Sequence, residues 1–226
     1  LQATNAFDWK SSFPEVFSKG GFDFILGNPP YVEVKNYNVS LPCMASYIKT
    51  VFCSSRNGKI DLAIPFIEQG IKLLNDNGRL GYIIQKRFFK DQYGKGIRQL
   101  LTQEGHYLLN GVYDYEETDL FAGRTTYVAI LVCDRCTKNN DYVWYANSQR
   151  SDNDQLLPSG SLSDTPWNFE NAQLNALRMR LTNDLGTLSD ICNVKVGVQV
   201  LWNDAYQIKA DKVEGGLIFG HSTVED

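Results

Sequence analysis

The sequence predicts an α/β fold, namely the second half of a doubly wound sheet that ends in an antiparallel hairpin. Three observations predict it: short apolar runs bounded by glycine, a long stretch of helical periodicity between two of them, and two closely spaced apolar runs further along the chain. Alternation of strands and helices is typical of an open sheet covered by helices. With 226 residues, 43% of them hydrophobic, the chain can bury one complete core and part of a second.

The first predicted strand covers residues 22–26, an aromatic and β-branched run with glycines on both sides. Such a run is expected to be buried in a sheet. Pro29 and Pro30 follow almost directly, and each fixes its own φ and lacks an N–H donor. The strand should therefore end in a rigid turn whose backbone carbonyls are free to accept hydrogen bonds from a ligand.

The following elements continue the alternation. Apolar residues recur at helical spacing from Ile60 to Leu74, and the polar run at 75–78 ends this helix. The further predicted elements are a strand at 80–84, a helix at 96–104, a strand region at 106–115 and a buried strand at 126–133. The chain becomes polar after Cys136, which predicts an exposed connection with one edge strand at 142–145. The predicted division is a main domain at 1–136, a linker at 137–166 and the start of a second domain at 167–226, which opens with a helix around 172–181.

Composition excludes several classes of protein. No stretch approaches the run of about 20 apolar residues that spans a membrane, and the N-terminus has no signal-peptide pattern. Five cysteines, an odd number without regular spacing, argue against a disulfide scaffold, so we expect a cytoplasmic protein. Cys133 and Cys136 have C-x-x-C spacing, but no second pair follows, and no metal site is predicted. Neither His106 nor His221 lies near a candidate nucleophile, so a Ser-His-Asp hydrolase is not predicted either.

A basic cluster contrasts with the overall acidity of the chain, whose net charge is −4. Five cations fall within thirteen positions: Lys86, Arg87, Lys90, Lys95 and Arg98. A solvated helix face is one interpretation of this cluster. Its place directly after a predicted strand favours the other interpretation, which is contact with the phosphate groups of a nucleic acid.

The turn Asn28-Pro29-Pro30-Tyr31 places two acceptors and an aromatic ring at the end of a strand, where open α/β sheets bind their ligands. The side-chain oxygen of Asn28 and the carbonyl of Pro29 suit an amino group on a flat π-system, such as the exocyclic amine of a nucleobase. Two acceptors would localise the lone pair of that amine, and stacking on Tyr31 would hold the base at about 1–3 kcal/mol. The alternative is a simple loop breaker beside a core aromatic.

A resemblance to a known family starts at this turn. Residues 20–34 read GGFDFILGNPPYVEV and resemble the catalytic motif of S-adenosylmethionine-dependent amino-methyltransferases, specifically the γ-type DNA adenine-N6 methyltransferases of restriction-modification systems. The similarity covers most of Asp8 to Val132 and continues in order through KIDLAIPFIEQGIKLLNDNGRLGYIIQKRFF, YGKGIRQLL and LFAGRTTYVAILV. A later segment, VKVGVQVLWNDAYQI, resembles the opening of the target-recognition domain in these enzymes.

The resemblance implies a Rossmann-like methyltransferase of the prokaryotic cytoplasm that transfers a methyl group from S-adenosylmethionine to the N6 amine of an adenine extruded from double-stranded DNA. Asn28 and Pro29 would accept hydrogen bonds from that amine. Pro30 would stiffen the turn, and Tyr31 would stack on the base.

The resemblance also implies roles outside the turn. A second aromatic side chain is expected after the next strand, where Tyr93 is preferred and Phe88 and Phe89 are alternatives. Asp8 and Asp61 occupy positions that contact the cofactor in the family, although helix capping is the alternative for both. Arg124, before the last strand, joins the basic cluster as a candidate for contact with the DNA backbone, or is a solvated turn residue.

The family binds its cofactor mainly on a glycine-rich turn after the first strand of the sheet. No such turn precedes Asn28. We therefore expect a piece of a longer enzyme that, by itself, binds S-adenosylmethionine weakly or not at all, is inactive, and self-associates through an uncovered sheet edge. The alternatives are a protein-glutamine or RNA guanine amino-methyltransferase, and a non-catalytic DNA-binding fragment. The continuation of the chain beyond the final hairpin favours DNA as the substrate.

Overall fold

A computed structural model describes most of the first three quarters of the chain and parts of the remainder. The described residues are 7–32, 41–56, 61–103, 106–115, 127–135, 141–148, 154–169, 177, 180–181, 191–192, 208–214 and 217–222. The chain divides into two compact units, Leu1–Ala172 and Gln173–Asp226. Among the described residues, no helix is both long and apolar enough to cross a membrane.

Six strands of the first unit form one mixed sheet in the order β1-β2-β6-β5-β7-β8. Their bounds are Phe22–Gly27 (β1), Leu74–Gln85 (β2), Leu109–Asp114 (β5), Val128–Asp134 (β6), Tyr142–Asn147 (β7) and Gln155–Pro158 (β8), while Thr102–Gln103 (β3) and His106–Tyr107 (β4) form a separate antiparallel pair. β1 is parallel to β2, β5 is parallel to β7, and β6 lies antiparallel between β2 and β5. Strands β1, β2, β5 and β7 therefore end at the same edge of the sheet, which we call the carboxyl edge.

The helices of the first unit pack around this sheet. They are α1 (Trp9–Ser12), α2 (Pro14–Phe17), α3 (Pro42–Val51), α4 (Ala63–Leu73) and α5 (Lys95–Leu101), with 3-10 turns at Cys53–Ser55, Lys86–Phe89, Gln92–Gly94 and Ser159–Ser161. The buried face of α4 joins the core with β2. Gly70 permits this close packing, because a Cβ atom there would lie 2.3 Å from Cδ1 of Leu80 on β2.

The predicted α/β class is confirmed, as are the predicted strand at the start of the sheet and the antiparallel pairing of β5 with β6. β2 is longer than the predicted strand, because Leu74 already pairs with Phe22 at the end of α4. The helix predicted for 96–104 ends at Leu101. Thr102 and Gln103 leave the helix because they pair with β4 instead.

The prediction that residues 22–26 form a buried strand is wrong in one respect. Phe24 and Leu26 on β1 are 72% and 82% exposed. The reason is position in the sheet, since within the described residues β1 has β2 on one side and no strand on the other. An apolar sequence allows a strand to be buried. Whether the strand is buried depends on the strands that lie next to it.

The linker predicted for 137–166 is also corrected. Its strand, β7, is not an edge strand, because it lies between β5 and β8. The apolar residues Leu157, Leu162 and Trp167 are buried in the main core. This part of the chain therefore completes the first unit, whose boundary falls at Ala172.

The second unit is described mainly as a hairpin. β9 (Ile208–Glu214) pairs antiparallel with β10 (Leu217–Ser222). The segment at 194–207 that resembles a recognition domain lies outside the described residues, as does most of the helix predicted around 172–181.

Candidate active site

The turn at residues 28–31 leaves the carboxyl edge directly after β1. Asn28 is exposed, Pro29 is buried and Tyr31 is half-buried. The hydroxyl of Tyr31 donates to the carbonyl of Ile83 on β2 at 3.3 Å. Just beyond the turn, the backbone N–H of Leu62 donates to the carbonyl of Val32 at 3.0 Å. The turn is thus fixed by its two prolines and attached to the neighbouring strand by its aromatic residue.

The Asn28 carboxamide is available to a ligand. Within the described ranges, no hydrogen bond to another residue occupies it, and the side chain is exposed at the edge of the sheet. Its oxygen can accept a hydrogen bond from an amine, and Pro29 adds a backbone carbonyl without a competing N–H. The pairing of these two acceptors on one amine remains a prediction.

Tyr31 lies close to the start of α4. Burial raises the pKa of its hydroxyl, and the negative charge of Asp61 raises it further, so the phenol stays protonated and can donate to Ile83. Asp61 itself accepts a hydrogen bond from the backbone N–H of Ala63 at 3.0 Å. Asp61 therefore accepts from the first residue of α4 without being its N-cap, which is Leu62. Its cofactor contact remains a prediction.

The segment after β2, residues 86–94, leaves the same edge, and we call it the post-β2 loop. Lys86 starts this loop and forms an ion pair with Asp114 at the end of β5, with Nζ 2.6 Å from Oδ1. The hydroxyl of Tyr145 donates to the other carboxylate oxygen of Asp114 at 3.2 Å. Sequence reasoning missed Asp114, although its position at a strand end was a signal. Because Lys86 is already paired, it is not a simple phosphate contact.

The other cations of the basic cluster differ in exposure. Arg87 and Lys90 are exposed on the post-β2 loop. Lys95 pairs with Asp164 at 3.3 Å. Arg98 is 2% exposed and donates to backbone carbonyls inside the protein, so the prediction that it contacts DNA is wrong. Arg124 lies outside the described residues.

The aromatic candidates of the loop separate in the same way. Phe88 and Phe89 are 2% and 3% exposed and belong to the main core. Phe88 is therefore a core residue, which corrects its prediction as a base-stacking side chain. Tyr93 is partly buried against the same core and keeps some of its surface open. Its stacking role remains a prediction.

Asp8 is not brought to the turn. Its carboxylate accepts from the backbone N–H groups of Lys10 and Ser11 and from the hydroxyl of Ser11, which caps α1. The hydrogen bond from the Ser11 hydroxyl is the main cause of the lowered pKa of Asp8. The next residue, Trp9, contacts the ring of Phe22 at the start of β1, the end opposite to the turn. Asp8 is thus a helix cap.

The described residues do not form a polar cradle that fits S-adenosylmethionine. The cofactor carries a sulfonium, an ammonium and a carboxylate, and buried charges of this kind need polar partners. A groove of about 760 Å³ lies beside β1, but its lining is almost entirely apolar and includes Trp9, Phe24 and Tyr47. The glycines with positive φ, Gly20 and Gly21, come before β1 rather than after a strand.

The remaining titratable groups add no second centre. Across the described residues, no group of His, Cys, Asp and Glu side chains could hold a metal ion. Cys133 is fully buried on β6, and burial raises the pKa of its thiol well above the ordinary value. Its partner in the C-x-x-C spacing, Cys136, lies outside the described residues. His106 is exposed on β4.

Comparisons with known proteins indicate the family of this chain. Residues 1–121 match the family described as Eco57I restriction-modification methylase. The type II restriction enzyme and methyltransferase RM.Eco57I of Escherichia coli is 27% identical over 208 residues, which are 88% of this chain and 20% of that protein. The type II methyltransferase M.BstVI of Geobacillus stearothermophilus is 24% identical over 223 residues, or 85% of this chain and 38% of that protein. The chain thus spans less than two fifths of the length of either relative.

A solved structure is also similar. It is the methyltransferase subunit of a type I restriction-modification system from Streptococcus thermophilus, with a TM-score of 0.43 and 16% identity. The similarity covers 71% of this chain and 32% of that one.

Proposed function

This chain belongs to the Eco57I restriction-modification methylase family, and from that premise we propose that it forms the base-binding part of a DNA methyltransferase. The proposed reaction transfers a methyl group from S-adenosylmethionine to the N6 amine of adenine in double-stranded DNA. The base would leave the helix and enter the site at the carboxyl edge.

The turn after β1 is the observation that carries this proposal. It places the exposed residue Asn28 and the carbonyl of Pro29 directly after the end of β1. Two acceptors that bind one NH2 group from outside the plane of the ring would favour a tetrahedral nitrogen, whose lone pair is no longer conjugated with the ring. That lone pair would attack the methyl group, S-adenosylhomocysteine would leave as a neutral thioether, and the methylated amine would release one proton. Acceptors placed before the reaction stabilise the charge that develops on the nitrogen.

Tyr31 would hold the extruded base against this pair. Its hydroxyl donates to the carbonyl of Ile83, so β2 orients the half-buried ring. Stacking of this kind does not distinguish bases, and contributes about 1–3 kcal/mol for each base. The proposed preference for adenine therefore rests on the exocyclic amine of that base and on the family resemblance. The Tyr31 ring would contribute to binding without selecting the base.

The post-β2 loop would contact the DNA backbone. Arg87 and Lys90 are exposed on this loop, next to the turn in the order of the sheet. Phosphate contacts fix the register of a protein on DNA and carry no sequence information. We propose Arg87 and Lys90, with Lys95 beside them, as such contacts. Arg124 remains a further proposal, based on sequence alone.

We also propose that residues 1–226 alone are inactive and bind the cofactor weakly or not at all. The support for this is the lack of a polar cradle among the described residues and the apolar lining of the groove beside β1. Calorimetric titration of the isolated chain with S-adenosylmethionine tests it. Micromolar binding would contradict the proposal.

The experiment for the main proposal uses the complete enzyme that carries this sequence. It is incubated with DNA and S-adenosylmethionine labelled in the methyl group, and the nucleosides of the digested DNA are separated. We expect the label on N6-methyladenine. Label on cytosine would contradict the choice of base. No label in DNA, together with label in parallel incubations that contain RNA or protein, would establish one of the other amino-methyltransferase functions.

The variant Asn28→Ala tests whether this activity depends on the turn. We expect it to lower the rate of transfer about a hundredfold or more, because a lost hydrogen bond to developing charge costs roughly 2.7–4 kcal/mol. Asn77→Ala is the matched control, since Asn77 is an exposed asparagine near the opposite end of β2. Equal rates for the two variants would contradict the assignment of the turn.

A further inference from the structure

Arg98 on α5 is a buried cation whose hydrogen bonds all go to backbone carbonyls of two other segments. Its guanidinium donates to the carbonyls of Phe88 and of Asp91, the latter at 2.8 Å, and both belong to the post-β2 loop. Its Nε donates to the carbonyl of Asp164 at 2.9 Å. Burial of a charged group costs free energy unless its donors are paired. Here the pairing joins the loop to a segment more than 70 positions later in the chain.

That later segment, residues 162–169, covers the loop, and we call it the aromatic strap. Trp167 is 1% exposed, and its backbone N–H donates to the carbonyl of Phe89 at 2.7 Å. The Trp167 ring lies 5.4 Å from the ring of Phe89 and 6.1 Å from that of Phe88. Phe169 stacks on Tyr145 of β7 at 4.6 Å, which fixes the far end of the strap to the sheet.

The end of the loop is equally constrained. A Cβ atom on Gly94 would lie 2.0 Å from the carbonyl oxygen of Phe88 and 2.6 Å from Nη1 of Arg98. No side chain fits in that space, so the backbone at Gly94 closes directly over the guanidinium. The loop thus has a fixed start at Lys86, which pairs with Asp114, and a fixed end at Arg98.

This arrangement is an unusual way to fill a core. Well-packed apolar residues of similar volume often stabilise a protein as well as a buried ionic group does. A planar guanidinium, however, binds several carbonyls in one fixed geometry. Arg98 therefore specifies where the loop lies, in addition to filling space.

We propose that Arg98 and the aromatic strap are positioning residues for the methyl-transfer reaction: they hold the post-β2 loop, with Tyr93, Arg87 and Lys90, in the conformation that meets the extruded base. This inference rests on the proposed function. The strap continues covalently into the second unit after Ala172. The loop that meets the base is consequently held by the stretch of chain that leads to that unit.

The test compares Arg98→Lys with Arg79→Lys in the complete enzyme. Lysine keeps the charge in both variants but cannot bind several carbonyls in one plane. Arg79 is the matched control, because it makes two hydrogen bonds to Asp134 at the opposite edge of the sheet. Hydrogen–deuterium exchange of peptides from 86–94 is measured beside peptides from β2 and β6, together with single-turnover methylation and DNA affinity.

For Arg98→Lys we expect exchange in 86–94 to rise about tenfold or more while β2 and β6 keep their protection. The methylation rate should fall about tenfold, because the groups that meet the base are misplaced. DNA affinity should fall less than in the variant that combines Arg87→Ala with Lys90→Ala, because the phosphate contacts are displaced but not removed. Arg79→Lys should change none of these. Unchanged exchange in 86–94, or an equal rise throughout the unit, would overturn the proposal.

Trp167→Phe gives a second variant that keeps an apolar ring in the strap, and it decides the matter if Arg98→Lys does not fold. We expect the same pattern of exchange with a smaller rise. The exchange data also separate the two proposals. If the unmodified enzyme does not methylate DNA, the proposed function fails, while exchange still tests whether Arg98 and the aromatic strap hold the post-β2 loop. If it methylates DNA and both variants retain full rate and normal exchange, only the positioning role of Arg98 and the aromatic strap fails.

Discussion

The Asn28–Tyr31 turn and the post-β2 loop leave the carboxyl edge beside each other, but they are held in place by different means. The turn is stiff through its own covalent structure, because two prolines fix its backbone. The loop contains no proline and depends on Arg98 and on a strap that lies about seventy positions later. The conformation of the turn is thus specified by its local sequence. The conformation of the loop depends on segments that only the complete fold brings together.

The support of the loop extends further into the protein. Glu68 on α4 is 2% exposed and accepts from the backbone N–H of Ser54 at 2.9 Å and from its hydroxyl at 2.6 Å. The carbonyl of Ser54 in turn lies under Gly96 of α5, where an added Cβ would be 2.6 Å away. Buried polar contacts therefore lead from α4 to the helix that carries Arg98.

Within the turn, the effect expected at Tyr31 is second only to that of Asn28→Ala. Tyr31→Ala should lower the single-turnover rate roughly tenfold to a hundredfold, because base stacking contributes about 1–3 kcal/mol. Tyr31→Phe keeps the ring and loses only the bond to Ile83, which costs about 0.5–1.5 kcal/mol. Fluorescence of 2-aminopurine at the target position measures the stacked base. Equal signals for the Ala and Phe variants would rule out stacking.

A smaller effect is expected for the exposed cations of the loop. Arg87→Ala combined with Lys90→Ala should reduce the slope of log K against log salt concentration by about 1.8, since each phosphate contact contributes about 0.9. Lys10→Ala with Lys19→Ala is the control, because these exposed lysines precede β1 at the far side of the sheet. Titrations of labelled DNA at several salt concentrations give the slope. An unchanged slope in the loop variant would remove these residues from the interface.

The sequence alone predicted the locally specified half of this comparison and missed the rest. The strand predicted at 22–26 and the antiparallel pairing of β5 with β6 follow from short-range patterns, and both are confirmed. β1 ends at Gly27, just before the two prolines. The burial of Arg98 could not be predicted, because its partners belong to segments that only the folded chain brings together. For the same reason Phe88 resembled a site aromatic, residues 137–166 resembled a linker, and Trp167 resembled the start of a second domain.

The exposed side of β1 gives a further prediction. Leu26 is 82% exposed beside an apolar groove, so the isolated chain should self-associate through this edge. Leu26→Lys should lower the apparent mass in light scattering. Leu156→Lys, on the other edge strand, is the control and should have less effect, although Leu156 is 68% exposed. A strictly monomeric parent chain would contradict the prediction.

The smallest effect on activity is expected at Glu68, where the change should appear in stability. Burial raises the pKa of its carboxyl, but hydrogen bonds from Lys72 and Ser54 outweigh burial and lower the pKa below its ordinary value of 4.5. A group with a lowered folded-state pKa stabilises the fold above its unfolded pKa and loses this contribution as the pH falls.

Glu68→Gln should therefore cost about 1–3 kcal/mol near neutral pH, and the difference from the unmodified chain should shrink as the pH falls below about 4.5. Urea denaturation at several pH values measures it. Glu15→Gln, at an exposed position, is the control. A difference that stayed constant or grew toward acid pH would show that the ionised carboxylate is not what stabilises the Ser54 turn.

The most direct test of the central claim compares Asn28→Asp with Asn28→Ala in the complete enzyme. The claim is that the side-chain oxygen of Asn28 accepts a hydrogen bond from the target amine. Aspartate keeps an acceptor oxygen in the same place, and alanine removes it. We predict that Asn28→Asp retains a measurable single-turnover rate, well above that of Asn28→Ala, while both bind DNA. Equal and complete loss in the two variants, or near-normal turnover in Asn28→Ala, would contradict the account.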